Sequence, residues 1–219
     1  NVACGGHASN LKVMAHTIEL AFQNQVCVGA HPSYPDRTHF GRRPMNMSRS
    51  ELRHSVTEQI TSLRNMVSQK GHALHHVKPH GALYNQAAED SQLASLLAET
   101  VAAIDQQLKF YGLANSAMHA ACEQAGLEFV AEGFIDRAYT ADGLLVPRTA
   151  PDAVITDVPL MLDRTLNWLK TGVLKAIDGQ LLSIQPETLC LHGDHQQAID
   201  VARELNQALQ DHDIGIKAA

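Results

Sequence analysis

The chain has 219 residues, 45% of them hydrophobic and 18% charged, with a formal net charge of -6 and a pI near 6.1. These values predict a single domain over residues 1–219, since α/β barrels commonly use this length as one unit. The acidic balance argues against nucleic-acid binding, which favours a basic surface. No apolar run approaches the roughly 20 residues that span a bilayer, so we expect no membrane association.

The four cysteines are Cys4, Cys27, Cys122 and Cys190, and they form no CxxC pair. Three lie in apolar, strand-like runs, where cysteine behaves as a small hydrophobe. We therefore expect reduced, structural thiols. Disulfides are rare in the cytoplasm, so this expectation favours a cytoplasmic protein.

Segments with helical spacing alternate with short apolar runs along the chain. Helices are predicted at residues 11–22, 48–70, 91–104, 116–124, 157–170 and 196–210. Strands are predicted at residues 1–5, 26–30, 76–80, 110–113, 127–130, 173–177, 181–184 and 188–191, with a last short strand at 214–217. The pair around Asp178-Gly179 has the turn chemistry of a hairpin. Two polar segments, 33–47 and 133–151, are predicted to be irregular loops.

This alternation predicts a mostly parallel sheet of six or seven strands. Four of the strands end in a histidine, namely His7, His31, His80 and His192. In a parallel barrel the carboxyl ends of all strands open on one face. We therefore predict a closed or nearly closed (β/α) barrel in which the four histidines converge.

Residues 75–85 hold the densest group of reactive side chains in the chain. Lys78 lies near the end of a predicted buried strand, where a lysine is costly unless paired or functional. We expect it to hold an anionic substrate group or a phosphate; the alternative is a salt bridge to a carboxylate. Imidazoles such as His80 can transfer protons or bind metal ions, and the alternative is a structural role in a turn.

The irregular loops carry arginines whose planar guanidinium groups match carboxylates and phosphates. Arg43 lies on the first loop, and Arg137 and Arg148 lie on the second, close to Asp136. Anchoring of the loops through carbonyl and carboxylate contacts is the alternative interpretation. The chain has no GxxxxGK[ST] phosphate loop, GxGxxG fingerprint or GxSxG elbow, which excludes the commonest nucleotide and serine-hydrolase motifs.

The chain resembles the LamB/YcsF family in seven motifs that follow one another in the family order. These motifs lie at residues 1–7, 29–36, 40–43, 76–85, 136–139, 142–148 and 190–194. The resemblance implies an irregular seven-stranded (β/α) barrel of the glycoside hydrolase/deacetylase type. It also implies that the first strand of that barrel is missing from this chain, which would leave the domain N-terminally incomplete.

The resemblance further implies ATP-dependent opening of the lactam of 5-oxoproline to give L-glutamate. ATP with Mg²⁺ is the implied cofactor, and 5-oxoprolinase subunits B and C are the implied partners; a homo-oligomer and a bound transition metal both stay open. The expected catalytic residues are His31, Lys78, His80, His192 and Asp194. The expected substrate- or phosphate-binding residues are Arg43, Tyr84, Asn85, Asp136, Arg137 and Arg148.

Two other functions fit the same residues. One is a metal-dependent amide or carbohydrate deacetylase-like hydrolase that acts alone, with His7 and His31 as candidate metal ligands. The other is a non-catalytic subunit that binds substrate. Metal analysis and binding measurements would separate these alternatives from an ATP-dependent lactamase.

Overall fold

The computed structural model describes residues 1–193 and 197–217. The chain forms two compact units, which we call unit 1 and unit 2. Unit 1 comprises Asn1–Gly112 and Ser116–Val130, and unit 2 comprises Leu113–Asn115 and Ala131–Ala219.

The described residues form eight strands and seven helices. In chain order these are β1 (Val2–Ala3), α1 (Leu11–Gln23), β2 (Gly29–His31), α2 (Arg49–Gln69), β3 (His76–Val77), α3 (Gly81–Glu89), α4 (Ser91–Ile104), β4 (Lys109–Leu113), α5 (Ala117–Ala125), β5 (Phe129–Phe134), α6 (Val158–Thr171), β6 (Val173–Lys175), β7 (Leu181–Ser183), β8 (Thr188–Cys190) and α7 (Ala198–Asp211). None of these helices is long and apolar enough to cross a membrane.

The main sheet has six strands among the described residues, in the order β1-β2-β3-β4-β5-β8. Neighbouring strands are parallel for β1–β2, β2–β3, β3–β4 and β5–β8. The predicted α/β class with a parallel sheet is therefore confirmed. The hairpin around Asp178-Gly179 is also confirmed, because β6 and β7 form a separate antiparallel pair. The seven-strand count, the deacetylase type and the missing first strand stay predictions.

Helix α2 of unit 1 begins and packs as its sequence predicts. Ser48 and Glu51 form a capping box at the start of α2, which satisfies backbone N–H groups that have no partner within the helix. The predicted apolar stripe on α2 is buried throughout, at Leu52, Val56, Ile60, Leu63 and Val67. Burial of such a stripe supplies most of the stability of a helix in a protein.

Unit 2 has its own core, to which α6 and α7 both contribute. Its fully packed members are Ile135, Met161, Val201, Leu205 and Leu209. Trp168 of α6 is also buried, and its indole N–H donates to the carbonyl of Ile184 at 2.8 Å. That hydrogen bond satisfies the one polar group of this large side chain.

Several sequence-based boundaries are wrong. The strand expected at 127–130 is β5, which runs to Phe134, and the strand expected at 214–217 is an irregular segment. Helix α3 was not predicted, because it begins at Gly81 without a Ser, Thr, Asn or Asp cap. Ile199 was expected on the buried face of α7 but is 67% exposed, since the buried stripe runs through Val201 instead.

The four cysteines are free thiols, as expected. Cys4 and Cys122 are buried, Cys190 is partly buried and Cys27 is exposed. Burial raises the pKa of Cys4 and of Cys122 to about 12, so both thiols stay protonated at neutral pH.

Candidate functional site

Unit 1 gathers three of the strand-end histidines where the loops after β2 and β3 meet. The backbone N–H of His80 donates to Pro32 O at 2.8 Å, and that of Ala82 donates to Gly41 O at 2.9 Å. Gly41 has a φ of +64°, and a Cβ at this position would lie 3.0 Å from the Cβ of His7. Glycine is therefore required at 41, both for the left-handed backbone and for the close approach of the loops.

His31 and His80 face each other, with His31 Nε2 3.0 Å from His80 Nδ1. The outer nitrogen of each ring faces a carbonyl oxygen, at 2.7 Å from Lys78 O for His31 and at 2.9 Å from Phe40 O for His80. A carbonyl only accepts hydrogen bonds, so both outer nitrogens carry a proton. A third proton must lie between the rings, because two facing lone pairs would repel. In this geometry the pair therefore carries one positive charge.

The environment of this pair makes its extra proton easy to lose. Burial, followed by the charges of Lys78 and His80, lowers the pKa of His31 well below its ordinary value. Loss of the proton would leave two lone pairs in contact, and the 3.0 Å approach between the rings would then open. The pair can thus act as a cation while protonated and as a proton donor when it discharges.

His7 completes the cluster in unit 1. Its ring stacks on that of His80 with a centroid distance of 3.8 Å, and only 4% of the residue is exposed. Burial, followed by the charges of His80, Arg42 and Arg37, lowers the pKa of His7 to about 3. Its Nδ1 atom is buried and has no hydrogen-bond partner among the described residues. His7 is therefore neutral at pH 7 and can accept a hydrogen bond from a ligand.

Lys78 lies beside the histidine pair and is 5% exposed. Its carbonyl accepts the hydrogen bond from His31, and its backbone N–H donates to Ala30 O at 2.9 Å, so its backbone is fixed. Its Nζ lies 5.9 Å from the centroid of the Tyr84 ring, within the range of a cation–π contact. The sequence correctly predicted that Lys78 and His80 lie together.

The remaining predicted residues of unit 1 surround this cluster less closely. Tyr84 and Asn85 lie on α3, where Tyr84 is buried and Asn85 is partly buried. Arg43 is exposed on the loop after β2, where its charge helps to hold the pKa of Asp36 below its ordinary value. Whether Arg43, Tyr84 and Asn85 contact substrate stays a prediction.

Gln59, which the sequence alone did not single out, holds the loop that follows His31. Its side chain accepts from Ser33 N at 3.0 Å and donates to Ser33 O at 2.8 Å. Such a reciprocal pair fixes the backbone as a neighbouring strand would. The available signal was the position of Gln59 beside Ile60 in the buried stripe of α2, since a polar residue there must find a partner.

Unit 2 places the fourth strand-end histidine against a carboxylate. His192 Nδ1 lies 2.7 Å from Asp136 Oδ2, and the backbone N–H of His192 donates to the same oxygen at 3.1 Å. Burial would raise the pKa of Asp136, but the hydrogen bonds and charge of His192, helped by Arg148, hold it below its ordinary value. Asp136 is therefore an ionised acceptor at pH 7.

The arginines of unit 2 divide by their contacts. Arg137 is 3% exposed and donates from its guanidinium to the carbonyls of Ala153 and Val146. These contacts fit the alternative interpretation of a loop anchor, and a role of Arg137 in ligand binding stays a prediction. Arg148 is partly buried, and its charge acts on Asp136. Asp194, a predicted catalytic residue, lies outside the described residues.

The cluster in unit 1 does not resemble a preformed metal site. Both ring nitrogens of His31 are within hydrogen-bond distance of Lys78 O and His80 Nδ1, so metal binding would require one contact to break. Over residues 1–193 and 197–217, no group of three His, Cys, Asp or Glu side chains is arranged to hold a metal ion. A role of His7 and His31 as metal ligands stays a prediction.

Comparison with known proteins gives a consistent result. The profile of the LamB/YcsF family matches residues 1–219. Proteins described as the A subunit of 5-oxoprolinase from Limosilactobacillus fermentum and Heliobacterium modesticaldum are each 44% identical over 218 residues, which cover 100% of this chain and 87% and 86% of the relatives.

Solved structures support the same relationship. The crystal structure of a lactam utilization protein from Thermus thermophilus superposes with a TM-score of 0.92 at 37% identity, and the match covers 100% of this chain and 87% of that protein. A structure from Enterococcus faecalis V583, at 12% identity and a TM-score of 0.55, covers 93% of this chain and 81% of its own and shares the fold alone.

Proposed function

Because the chain belongs to the LamB/YcsF family, we propose that it is the A subunit of an ATP-dependent 5-oxoprolinase, which opens the lactam of 5-oxoproline to give L-glutamate. The two relatives named above are described by that name, and subunits B and C are the proposed partners of this chain in the cytoplasm. The observation that carries the proposal is the buried Lys78 beside the proton-sharing pair of His31 and His80.

The reaction needs help because a lactam carbonyl is a weak electrophile. Hydrolysis breaks the C–N bond of the ring; water supplies a hydroxyl to the carbonyl carbon and a proton to the nitrogen. ATP, when bound with Mg²⁺, supplies a phosphoryl group that activates the lactam oxygen. Such chemistry requires fixed positive charge for phosphate or carboxylate groups and groups that move protons.

Unit 1 places an ammonium beside a histidine pair that can carry a second positive charge. Lys78 contributes its ammonium, and the pair of His31 and His80 contributes one charge while it holds the shared proton. Because both groups are largely removed from water, their attraction for an anion is stronger than at a surface. We propose that this site holds the carboxylate of 5-oxoproline or a phosphate group, with the shared proton available for transfer.

The other residues named from the sequence keep their proposed roles. In unit 1, Tyr84 and Asn85 would donate hydrogen bonds to substrate and Arg43 would contact phosphate. In unit 2, Arg148 keeps its proposed role in binding phosphate. We assign no residue of this chain to Mg²⁺, because the ion prefers several oxygen ligands and the described residues offer no group of three suitable donors.

The test compares two lysine variants in the full chain assembled with its partner subunits. Replacing Lys78 by Met removes the buried charge, and we expect kcat/KM for glutamate release to fall about 10²- to 10³-fold. Lys109→Met is the matched control, because Lys109 lies on the neighbouring strand β4 and pairs with Glu128 at 3.1 Å. Glutamate release without ATP, or equal activity of the two variants, would contradict the proposal.

A further inference from the structure

The register of the sheet in unit 2 explains why Asp136 and His192 meet. Strands β5 and β8 are parallel neighbours, with Phe134 opposite Cys190. Two residues beyond this pair, in the segments that continue from β5 and β8, Asp136 therefore lies opposite His192. The ring of His192 also stacks on Phe134 with a centroid distance of 5.7 Å, which limits its rotation. The hydrogen bond between the two residues follows from the strand pairing and is not a chance surface contact.

The carboxylate fixes the tautomer of His192. Asp136 Oδ2 accepts from two donors, the backbone N–H and Nδ1 of His192, so Nδ1 must carry a proton. The lone pair of the neutral ring is therefore on Nε2. The His192 side chain is 26% exposed and that of Asp136 is 4% exposed. The side chain of His192 is thus partly exposed, whereas the carboxylate that orients it is buried.

Arg164 of α6 holds the backbone on both sides of Asp136. Its guanidinium donates to Ile135 O at 3.0 Å and to Arg137 O at 3.0 Å. The same group lies 5.8 Å from the Tyr139 ring centroid, on an aromatic face. Burial lowers the pKa of Arg164, while Tyr139 and Asp136 act in the opposite direction. These two hydrogen bonds fix the backbone from which the Asp136 carboxylate extends.

We propose that His192 is the general base of lactam opening, that Asp136 is the positioning residue that sets its tautomer, and that Arg164 positions Asp136 in turn. The proposal rests on the proposed function. His192 Nε2 takes a proton from water as the water oxygen bonds to the lactam carbon. When the C–N bond breaks and its electron pair moves to nitrogen, His192 returns that proton to the amine and is neutral again, and the amine also takes up the hydroxyl proton as the C=O bond reforms. The phosphoryl group activated from ATP then remains on the new carboxyl group as an acyl phosphate, which a second water hydrolyses to the carboxylate and inorganic phosphate.

This arrangement changes the role expected for Asp136. A residue that binds substrate would chiefly alter KM when replaced, whereas a residue that orients a base alters kcat. A general base contributes about 10²- to 10⁴-fold to rate. For Asp136→Ala in the assembled complex we therefore expect a fall in kcat of at least about 10²-fold, with KM within about threefold of wild type.

Asp136→Asn separates charge from orientation. The backbone N–H of His192 requires an acceptor at the Oδ2 position, so the introduced amide would place its oxygen there and keep Nδ1 protonated. We expect this variant to keep the tautomer and to lose less of kcat than Asp136→Ala does, because the neutral amide still orients the ring although it stabilises imidazolium less. The size of asparagine matches that of aspartate, so this variant guards against misfolding of Asp136→Ala.

A spectroscopic measurement makes the inference independent of turnover. The nitrogen shifts of ¹⁵N-histidine in the full chain, compared with a His192→Gln sample, identify which nitrogen of His192 carries the proton. We expect Nδ1–H in wild type and Asp136→Asn, and a shift towards Nε2–H in Asp136→Ala. Nε2–H in wild type would overturn the proposal, as would an Asp136→Ala variant that changes KM alone.

The variant Arg164→Met tests whether Arg164 positions Asp136. A displaced carboxylate should lower kcat about tenfold or more, since small misplacements of catalytic groups are costly. Arg53→Met is the control, because Arg53 is an exposed arginine paired with Glu99 at 2.7 Å in unit 1. Equal kcat for the two variants would overturn the role of Arg164. A wild-type complex that releases no glutamate would refute the proposed function, and with it the role of His192 as base, while the Nδ1–H assignment would stand.

Discussion

Two groups of histidines in this molecule differ in what faces each ring nitrogen. In unit 1 the outer nitrogens of His31 and His80 face carbonyl oxygens, which forces protons onto both and leaves room for a third between the rings. In unit 2 the Nδ1 of His192 faces the carboxylate of Asp136. The same side chain thus has different partners in the two units: a carbonyl oxygen and a second imidazole in unit 1, and an ionised carboxylate in unit 2.

The contact between His31 and His80 requires the loops after β2 and β3 to stay close, and Gly41 is the residue that allows this approach. For Gly41→Ala we expect a loss of about 2–4 kcal/mol in the free energy of unfolding, since the left-handed backbone and the crowding at His7 both cost energy. Urea titration would measure this loss, and the His31–His80 contact should open, since Gly41 O no longer holds Ala82.

Gly71→Ala is the matched control for that experiment. Gly71 has a φ of +79° and a Cβ there would meet nothing within 4 Å, so only the backbone cost of about 1 kcal/mol applies. Equal losses for the two variants would show that crowding at Gly41 is unimportant, and the close approach of the loops would then need another explanation.

The second prediction concerns stability in acid. His7 has a pKa of about 3 in the folded chain and near 6.5 when unfolded, so the unfolded state binds the extra proton as the pH falls below 6.5. This group therefore stabilises the fold at neutral pH, and its contribution is lost in acid. We expect the depressed pKa of His7 to lower the free energy of unfolding by about 2–3 kcal/mol between pH 7 and pH 4.5. Urea titration at each pH measures this change.

His76 and His31 contribute with the same sign, because burial also lowers the pKa of His76 to about 3 and that of His31 well below its ordinary value. The variant His7→Asn should therefore show roughly two thirds of the wild-type loss between pH 7 and pH 4.5. An unchanged slope in this variant would mean that His7 is not neutral in the folded state, and the assignment of charge within the cluster of unit 1 would fail.

Much of the fold and part of the candidate site could be predicted from the sequence. Helical spacing and caps located six of the seven helices, and the repeated strand-end histidines identified His7, His31 and His80 as neighbours. Local sequence could not predict α3, since its first N–H groups bond to the distant carbonyl of Gly41. Partners of this kind depend on how separate loops pack, which composition and periodicity do not encode.

The roles of the site residues were harder to obtain for the same reason. Asp136 was grouped with the arginines beside it in the chain, whereas its partner in space is His192, reached through strand pairing. Gln59 and Arg164 were missed because each acts through backbone carbonyls or amides of another segment. A register assigned to β5 and β8 from sequence would have been enough to place Asp136 opposite His192.

The smallest expected effect separates the two groups of histidines most directly. If His31 and His80 share a proton, their charge attracts the carboxylate of 5-oxoproline, which stays ionised above about pH 4.5. The charge is lost as the pH rises through the pKa of His31, which burial holds well below its ordinary value, so affinity should fall as the pH rises. By isothermal titration we expect the Kd to be lowest in acid and to increase with pH.

Matched variants then show which unit causes the pH dependence of the Kd. His80→Gln removes the shared proton, so its Kd should be higher than that of the wild type in acid and nearly independent of pH. His192→Gln leaves the pair of His31 and His80 intact and should keep the wild-type slope, because His192 bonds to Asp136 and not to that pair. If His192→Gln abolished the slope and His80→Gln preserved it, the cation and the base would have to be exchanged between the two units.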